Sequence, residues 1–365
     1  MSDPSGGSWR EINQRVGTAF TETLERIHVG RGVGRMALLL VATFSFFAIL
    51  NPGVFLNPVN LQNIGLVAPE IGILSLAVMM AMLTGGIDLS VVAIANGTAI
   101  TVSSLYTAVL NSQGQGAADS MTPLILLAGV AVGVALGAIN GVLVSVVGIT
   151  PILVTLGTMQ LYNGLALVWT GGVTVSGAPG GLTSMGSTAV LGVPVLLMIL
   201  IAAAVAVGVL INRTAIGRKI ALQGANPVAT RYSGISSRST LMMTYVTSGL
   251  LSAVAGLVFL SRSPSASADY GSSYVLLVIV IVVLGGTNPN GGFATVLGVV
   301  LATLTLQVLS SGFTAMRLSA FEYAIAQGVI LVGVMVLDQV KFKTRKRRPS
   351  TNSESQGSLA EAETK

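Results

Sequence analysis

Ten apolar runs, each close to the length that crosses a bilayer, decide most of what this chain can become. They fall at residues 35–56, 61–83, 89–110, 123–147, 149–170, 189–211, 240–261, 273–286, 293–312 and 320–336. A helix needs about 20 mostly apolar residues to cross the hydrocarbon layer. The runs are continuous, whereas barrel strands alternate apolar and polar positions, so a transmembrane β-barrel is disfavoured. Only 9% of the residues are charged, against roughly 25% in soluble domains. That is too little charge to clothe so large an apolar mass in water. The expected fold is all-α: a polytopic membrane protein of about ten transmembrane helices, some discontinuous where glycine interrupts the run.

The basic residues give this bundle a direction. Of 19 Lys and Arg, five precede the first run (Arg10, Arg15, Arg26, Arg31, Arg35) and five lie between Arg213 and Arg238. Seven more follow the last run, from Lys341 to Lys365. With ten crossings and both termini cytoplasmic, all of these fall inside and only Arg262 and Arg317 fall outside, in accord with the positive-inside rule. The net charge of +6 is thereby explained by topology, and no nucleic acid is expected as a partner.

Three parts follow. Residues 1–34 carry Trp9, Ile12, Val16, Phe20, Leu24 and Ile27 at helical spacing, an amphipathic segment for the cytoplasmic membrane face or for a protein surface. Residues 35–340 form the membrane domain. Residues 341–365 begin with KFKTRKRR, an anchor at anionic lipid headgroups, and end in a Ser-, Glu- and Gln-rich tail expected to be disordered.

Polar groups inside apolar runs are where function is sought. The candidate carboxylates are Glu70, Asp88 and Glu322. Asp88 lies in TGGIDLS, where Gly85 and Gly86 break the helix and Ser90 is placed to cap its resumption. The motif reads either as a pathway or hinge element, or as a capped junction whose carboxylate holds backbone amides. Glu70 and Glu322 face protein or a wet cavity, or else lie at the lipid interface. Gly129, Gly133, Gly137 and Gly141 form a small-residue stripe for close helix packing, with Asn140 beside it. Asn96, Asn140, Thr155, Thr158 and Asn163 are the neutral polar candidates for a translocation path.

Residues 212–239 hold five basic residues and no acid. Within them, Asn226 is a helix cap, Pro227 suits the first helical position and Gly234 suits the stop. Such a helix either lies on the membrane or docks on a soluble protein. No Gly-Lys-Ser/Thr sequence occurs and no lysine precedes Lys219, so the chain lacks a phosphate-binding loop of its own. With no Cys and the single His28, neither a catalytic set nor a metal site is expected.

Five segments, in order, resemble the permease subunits of bacterial ABC importers of the ribose/xylose/arabinose type: TGGIDLSV, GAING, ITPILVTLGTM, TAIGRKIALQGANPVATRYSGI and VLGGTNPNGG. The chain departs from that pattern at Val92, at Val228 and in SYVLLVIVI, which lacks the family's acids. The resemblance implies a non-catalytic subunit in the bacterial inner membrane, paired with a second copy or a paralogue. It also implies an ABC ATPase that holds the ATP and Mg, with no cofactor on this chain, and a periplasmic sugar-binding protein. Gly217, Arg218, Asn226, Pro227, Ala229, Arg231, Gly234 and Ile235 are then the ATPase-coupling residues, and the cargo a neutral monosaccharide or related polyol moved by alternating access. The alternatives are nucleosides or branched-chain amino acids in the same role, or a secondary transporter independent of an ATPase.

Overall fold

The computed structural model describes residues 31–317, together with 319, 321, 322, 325, 328 and 329. The amphipathic residues 9–27, the tail at 341–365 and most of the tenth apolar run lie outside the described residues. The chain divides after Leu318 into two units, the first of which holds the helical bundle. In the second, the Glu322 carboxylate accepts from the Ser319 amide and hydroxyl at 2.6 and 2.9 Å, closing a local turn.

The helices follow the apolar runs. They are α1 (Arg31–Leu50), α2 (Pro52–Phe55), α3 (Pro58–Leu83), α4 (Val91–Gln113), α5 (Gln115–Ser120), α6 (Thr122–Val142, continued by a π turn at Leu143–Val147) and α7 (Pro151–Thr170). After them come α8 (Gly180–Ser187), α9 (Val195–Arg213), α10 (Ala215–Ala225), α11 (Pro227–Tyr232), α12 (Ser237–Arg262), α13 (Tyr274–Leu284) and α14 (Val296–Ala315). Two-residue strands pair antiparallel, β1 (Val175–Ser176) with β4 (Ser265–Ala266), and β2 (Ala189–Val190) with β3 (Val193–Pro194).

Among the described residues, eight helices are long and apolar enough to cross a membrane: α1, α3, α4, α6 with its π turn, α7, α9, α12 and α14. The eighth expected span is a correction. Its helix, α13, has 11 residues, which at 1.5 Å per residue reach about 16 Å, half of a bilayer core. The other half is the irregular stretch from Ser263 to Ser273. Irregular backbone at such depth survives only where protein or water satisfies it.

α3, α4 and α12 form the centre. They are buried over 89%, 72% and 67% of their apolar windows, against 17–28% for α1, α6, α7 and α9. The outer helices therefore present apolar faces to lipid or to another chain. The stripe of glycines explains the closest crossing. A β-carbon at Gly137 would lie 2.5 Å from the Tyr245 carbonyl and 2.8 Å from the Gly249 α-carbon. One at Gly133 would lie 2.6 Å from the Ala253 β-carbon, and one at Gly141 2.7 Å from the Met242 sulfur. Gly129 meets Val102 of α4 instead. α6 thus beds against α12 and α4 through backbone, as the small-residue spacing predicts.

Candidate functional site

α3 ends and α4 begins at one broken junction. Gly85 has φ +82° and lets the chain turn back, with the Gly86 amide donating to the Ala81 carbonyl at 3.3 Å. This is a glycine-stopped helix end. Within the junction, Asp88 and Ser90 are fully buried. Asp88 accepts from the Ser90 amide at 3.0 Å, from the Ser90 hydroxyl at 2.6 Å and from the Ser248 hydroxyl of α12 at 2.8 Å. Asn140 of α6 donates to the Ser90 oxygen at 2.7 Å, and the Tyr162 hydroxyl of α7 lies 3.3 Å from the Asn140 carbonyl oxygen. Thr155 donates to the Ile87 carbonyl at 3.0 Å and to Pro151 at 2.9 Å; Thr158 bonds the Thr155 carbonyl at 3.4 Å.

Four of the expected path or hinge residues, Asp88, Ser90, Asn140 and Thr155, are thus gathered as a knot that ties α4, α6, α7 and α12 together at the break, while Thr158 bonds within α7. Ser90 stands at the start of α4 but makes no side-chain cap, because its hydroxyl is turned to Asp88. Ser248 and Tyr162 were not foreseen, since a serine and a tyrosine in apolar runs carry no spacing signal.

The basic loop is built as the sequence predicts. Thr214 accepts from the Gly217 amide at 3.1 Å to start α10, and Asn226 accepts from the Ala229 amide at 3.0 Å to start α11 behind Pro227. Gly234, at φ +76°, ends it. A β-carbon at Gly217 would run into the Leu210 carbonyl and Ile211, so glycine lets α10 fold back on α9. Ile220, Gln223 and Thr230 are buried, and Ile235 is half-buried. Arg218, Lys219, Val228, Ala229 and Arg231 face outward, with Tyr232 88% exposed.

The inner face of this loop is keyed to the break. A β-carbon at Gly224 would strike the Leu83 carbonyl and lie 2.6 Å from the Gly292 amide nitrogen. Gly292 itself donates to the Leu83 carbonyl at 2.9 Å, and a β-carbon at Gly291 would come within 2.7 Å of the Gly85 nitrogen. α13 ends in the same way as α3, with Gly286 at φ +89° and the Thr287 amide on the Val282 carbonyl at 3.2 Å. Two glycine-stopped half-ends and the basic loop therefore meet backbone to backbone. Gly224, Gly291 and Gly292 stood inside quoted motifs, but nothing in one sequence places three distant glycines together.

Midway along the bundle, on the opposite side of this knot from the loop, a cavity of about 230 Å³ lies between α4, α7 and the irregular half-crossing. Asn96, Gln160, Asn163, Asp269 and Ser272 line it, with Met159 and Val275. Asn96 is buried and donates to the Ala268 and Tyr270 carbonyls at 2.9 and 2.8 Å. Of the expected path residues, the structure brings Asn96 and Asn163 here. Next to it, Glu70 of α3 is buried and paired with Arg262 at 2.9 Å, and the Tyr270 hydroxyl lies 3.2 Å from both. Tyr270 stacks on Phe259. Of the two readings left open for Glu70, the protein-facing one fits the pairing, with the stray Arg262 at the end of α12 as its counter-charge. Among the described residues no group of acidic, His or Cys side chains is placed to hold a metal ion.

A polar cavity within a bundle of membrane-length helices, whose broken ends are keyed to an exposed basic loop, is the architecture of a multi-pass membrane permease. Residues 60–337 match the family described as the branched-chain amino acid transport system / permease component, and the chain belongs to that family. It is 34% identical over 315 residues, 86% of this chain and 93% of the relative, to the ribose import permease protein RbsC of Bacillus subtilis. It is 32% identical over 308 residues (82% of this chain, 89% of the relative) to the autoinducer 2 import system permease protein LsrD of Photorhabdus laumondii. Against LsrC of Klebsiella pneumoniae, named for the same system, identity is 33% over 302 residues, 82% of this chain and 84% of the relative. No solved structure matches the chain. The motif resemblance to permeases of ribose-type importers is borne out by these relatives.

Proposed function

We propose that this chain is the non-catalytic membrane subunit of an ATP-driven importer for a neutral monosaccharide or related polyol. It works in a bacterial inner membrane with both termini cytoplasmic. A separate ABC ATPase holds ATP and Mg and grips the 212–239 loop, a periplasmic binding protein delivers cargo, and a second copy or a paralogue completes the pathway.

The observation that carries this reading is the junction at Gly224. Arg218, Arg231 and Tyr232 stand free on the outer face of a loop whose inner face touches both broken helix ends through backbone alone. Closely packed backbone transmits displacement, because it has no side chain to yield. A partner that moves the loop thus moves the ends of α3 and α13, and with α3 the start of α4. ATP shifts the equilibrium between inward and outward forms only through a partner that binds one form better.

The cargo class follows from the named relatives and from the cavity. Among apolar neighbours, its wall carries three amides, the Ser272 and Tyr270 side chains and one carboxylate, and no cation for an amino acid's carboxylate, which sets it apart from the cargo in the family's description. Arg231→Glu tests the loop assignment: co-purification of the ATPase falls at least fivefold, or ATP-driven uptake does. Unchanged values for both discard it.

A further inference from the structure

We infer that the cavity between α4, α7 and the irregular half-crossing is the intramembrane contact site for a polyhydroxy solute, received by Gln160, Asn163 and Asp269. This rests on the transport reading above and adds to it the place and the groups.

Four observations converge. The first is depth. Gln160 and Asn163 stand midway along α7, and Asn96 near them holds the backbone that leads into the half-helix α13. Discontinuous helices in transporters break where solute is held, near the middle of the bilayer.

The second is missing partners. Gln160 and Asp269 are exposed and Asn163 is half-buried, and their side chains make no hydrogen bond among the described residues. An amide left unbonded in hydrocarbon costs roughly 2–7 kcal/mol. Two unbonded amides on the open face of an otherwise apolar helix, beside an open carboxylate, therefore call for water or a solute. Gly157 and Gly164, one turn to either side of Gln160, have nothing within 4 Å of a would-be β-carbon, so that face of α7 is unobstructed.

The third is a built wall. Asn96 is 4% exposed and spends both amide hydrogens on the Ala268 and Tyr270 carbonyls, while the Tyr270 hydroxyl is held beside Glu70 and Arg262. The segment carrying Asp269 is pinned at both neighbours and keeps the space open.

The fourth is chemistry and size. Amides donate and accept, a carboxylate accepts and Ser272 adds a hydroxyl, a set that matches adjacent hydroxyl groups. Arg262 is engaged by Glu70, so the cavity offers no free cation for an anionic solute. Its volume of about 230 Å³ lies below the roughly 300–1,000 Å³ of drug-sized sites, which suits one small molecule.

The chain contains no cysteine, so single cysteines report on an otherwise native protein. In the complete importer in proteoliposomes, Gln160→Cys and Asn163→Cys are expected to react with a membrane-impermeant methanethiosulfonate at least tenfold faster than Leu161→Cys, their exposed apolar neighbour. Equal rates at all three overturn the water-filled cavity. Asn163→Leu is expected to lower ATP-driven uptake of radiolabelled ribose at least tenfold, with Leu161→Ala within twofold of the parent. Full uptake by Asn163→Leu overturns the solute contact. A parent importer that moves no ribose removes the cargo reading, and the thiol rates still decide the cavity.

Discussion

At the scale of single residues, Asp88 shows how a carboxylate is kept in an apolar bundle. It is fully buried and accepts three hydrogen bonds, one of them from Ser248, a residue 160 positions away. Removing an acceptor strands donors: Asp88→Ala leaves both serine hydroxyls facing hydrocarbon. Hydrogen bonds between membrane helices average about 0.6 kcal/mol each and reach roughly 1–2. The expected result is a thermal midpoint in detergent lowered by several degrees, read by intrinsic fluorescence. Asp88→Asn keeps the shape but turns one acceptor into a donor. It is expected to insert normally and to transport at a fraction of the parental rate; parental uptake by this variant means that the carboxylate is dispensable.

At the scale of elements, the glycines divide into those that touch backbone and those that touch nothing. Gly224 abuts the Leu83 carbonyl and the Gly292 amide, whereas Gly208 has nothing within 4 Å. Gly224→Ala forces apart the loop and the break, with no side chain free to yield. It is expected to leave ATPase binding intact while cutting binding-protein-stimulated ATP hydrolysis at least fivefold; Gly208→Ala leaves it unchanged. Stimulation at the parental level in Gly224→Ala removes the keyed junction from the mechanism. Much at this scale was legible beforehand. The Asn226 cap, Pro227, the Gly234 stop and the α6 stripe are local patterns, set by spacing within one segment, and each stands where the sequence places it. The convergence of Gly85, Gly224 and Gly291 was not legible, because it depends on how three segments cross. The partner of Glu70 was hidden for the same reason: Arg262 lies 192 positions away. The half-length of α13 was obscured because 273–286 is apolar throughout, and hydropathy counts residues without saying where the helix starts.

At the scale of the whole molecule, the bundle has a buried centre of α3, α4 and α12 with a break at one end and a cavity midway. The helices α6, α7 and α9 leave large apolar faces uncovered, which a bilayer and a second permease chain would cover. The cavity and the basic loop lie on opposite sides of the Asp88 knot, so a solute held at the one and a protein gripping the other are linked through four helices. The sequence has no phosphate-binding loop, and the proposed mechanism calls for an outside ATPase. The most direct measurement is uptake in sealed proteoliposomes containing this permease, with and without its ATPase and binding protein, under internal ATP and Mg. The account predicts concentrative ribose or other neutral monosaccharide uptake only when all three proteins are present. Concentrative uptake by the permease alone, driven by an ion gradient, would contradict it.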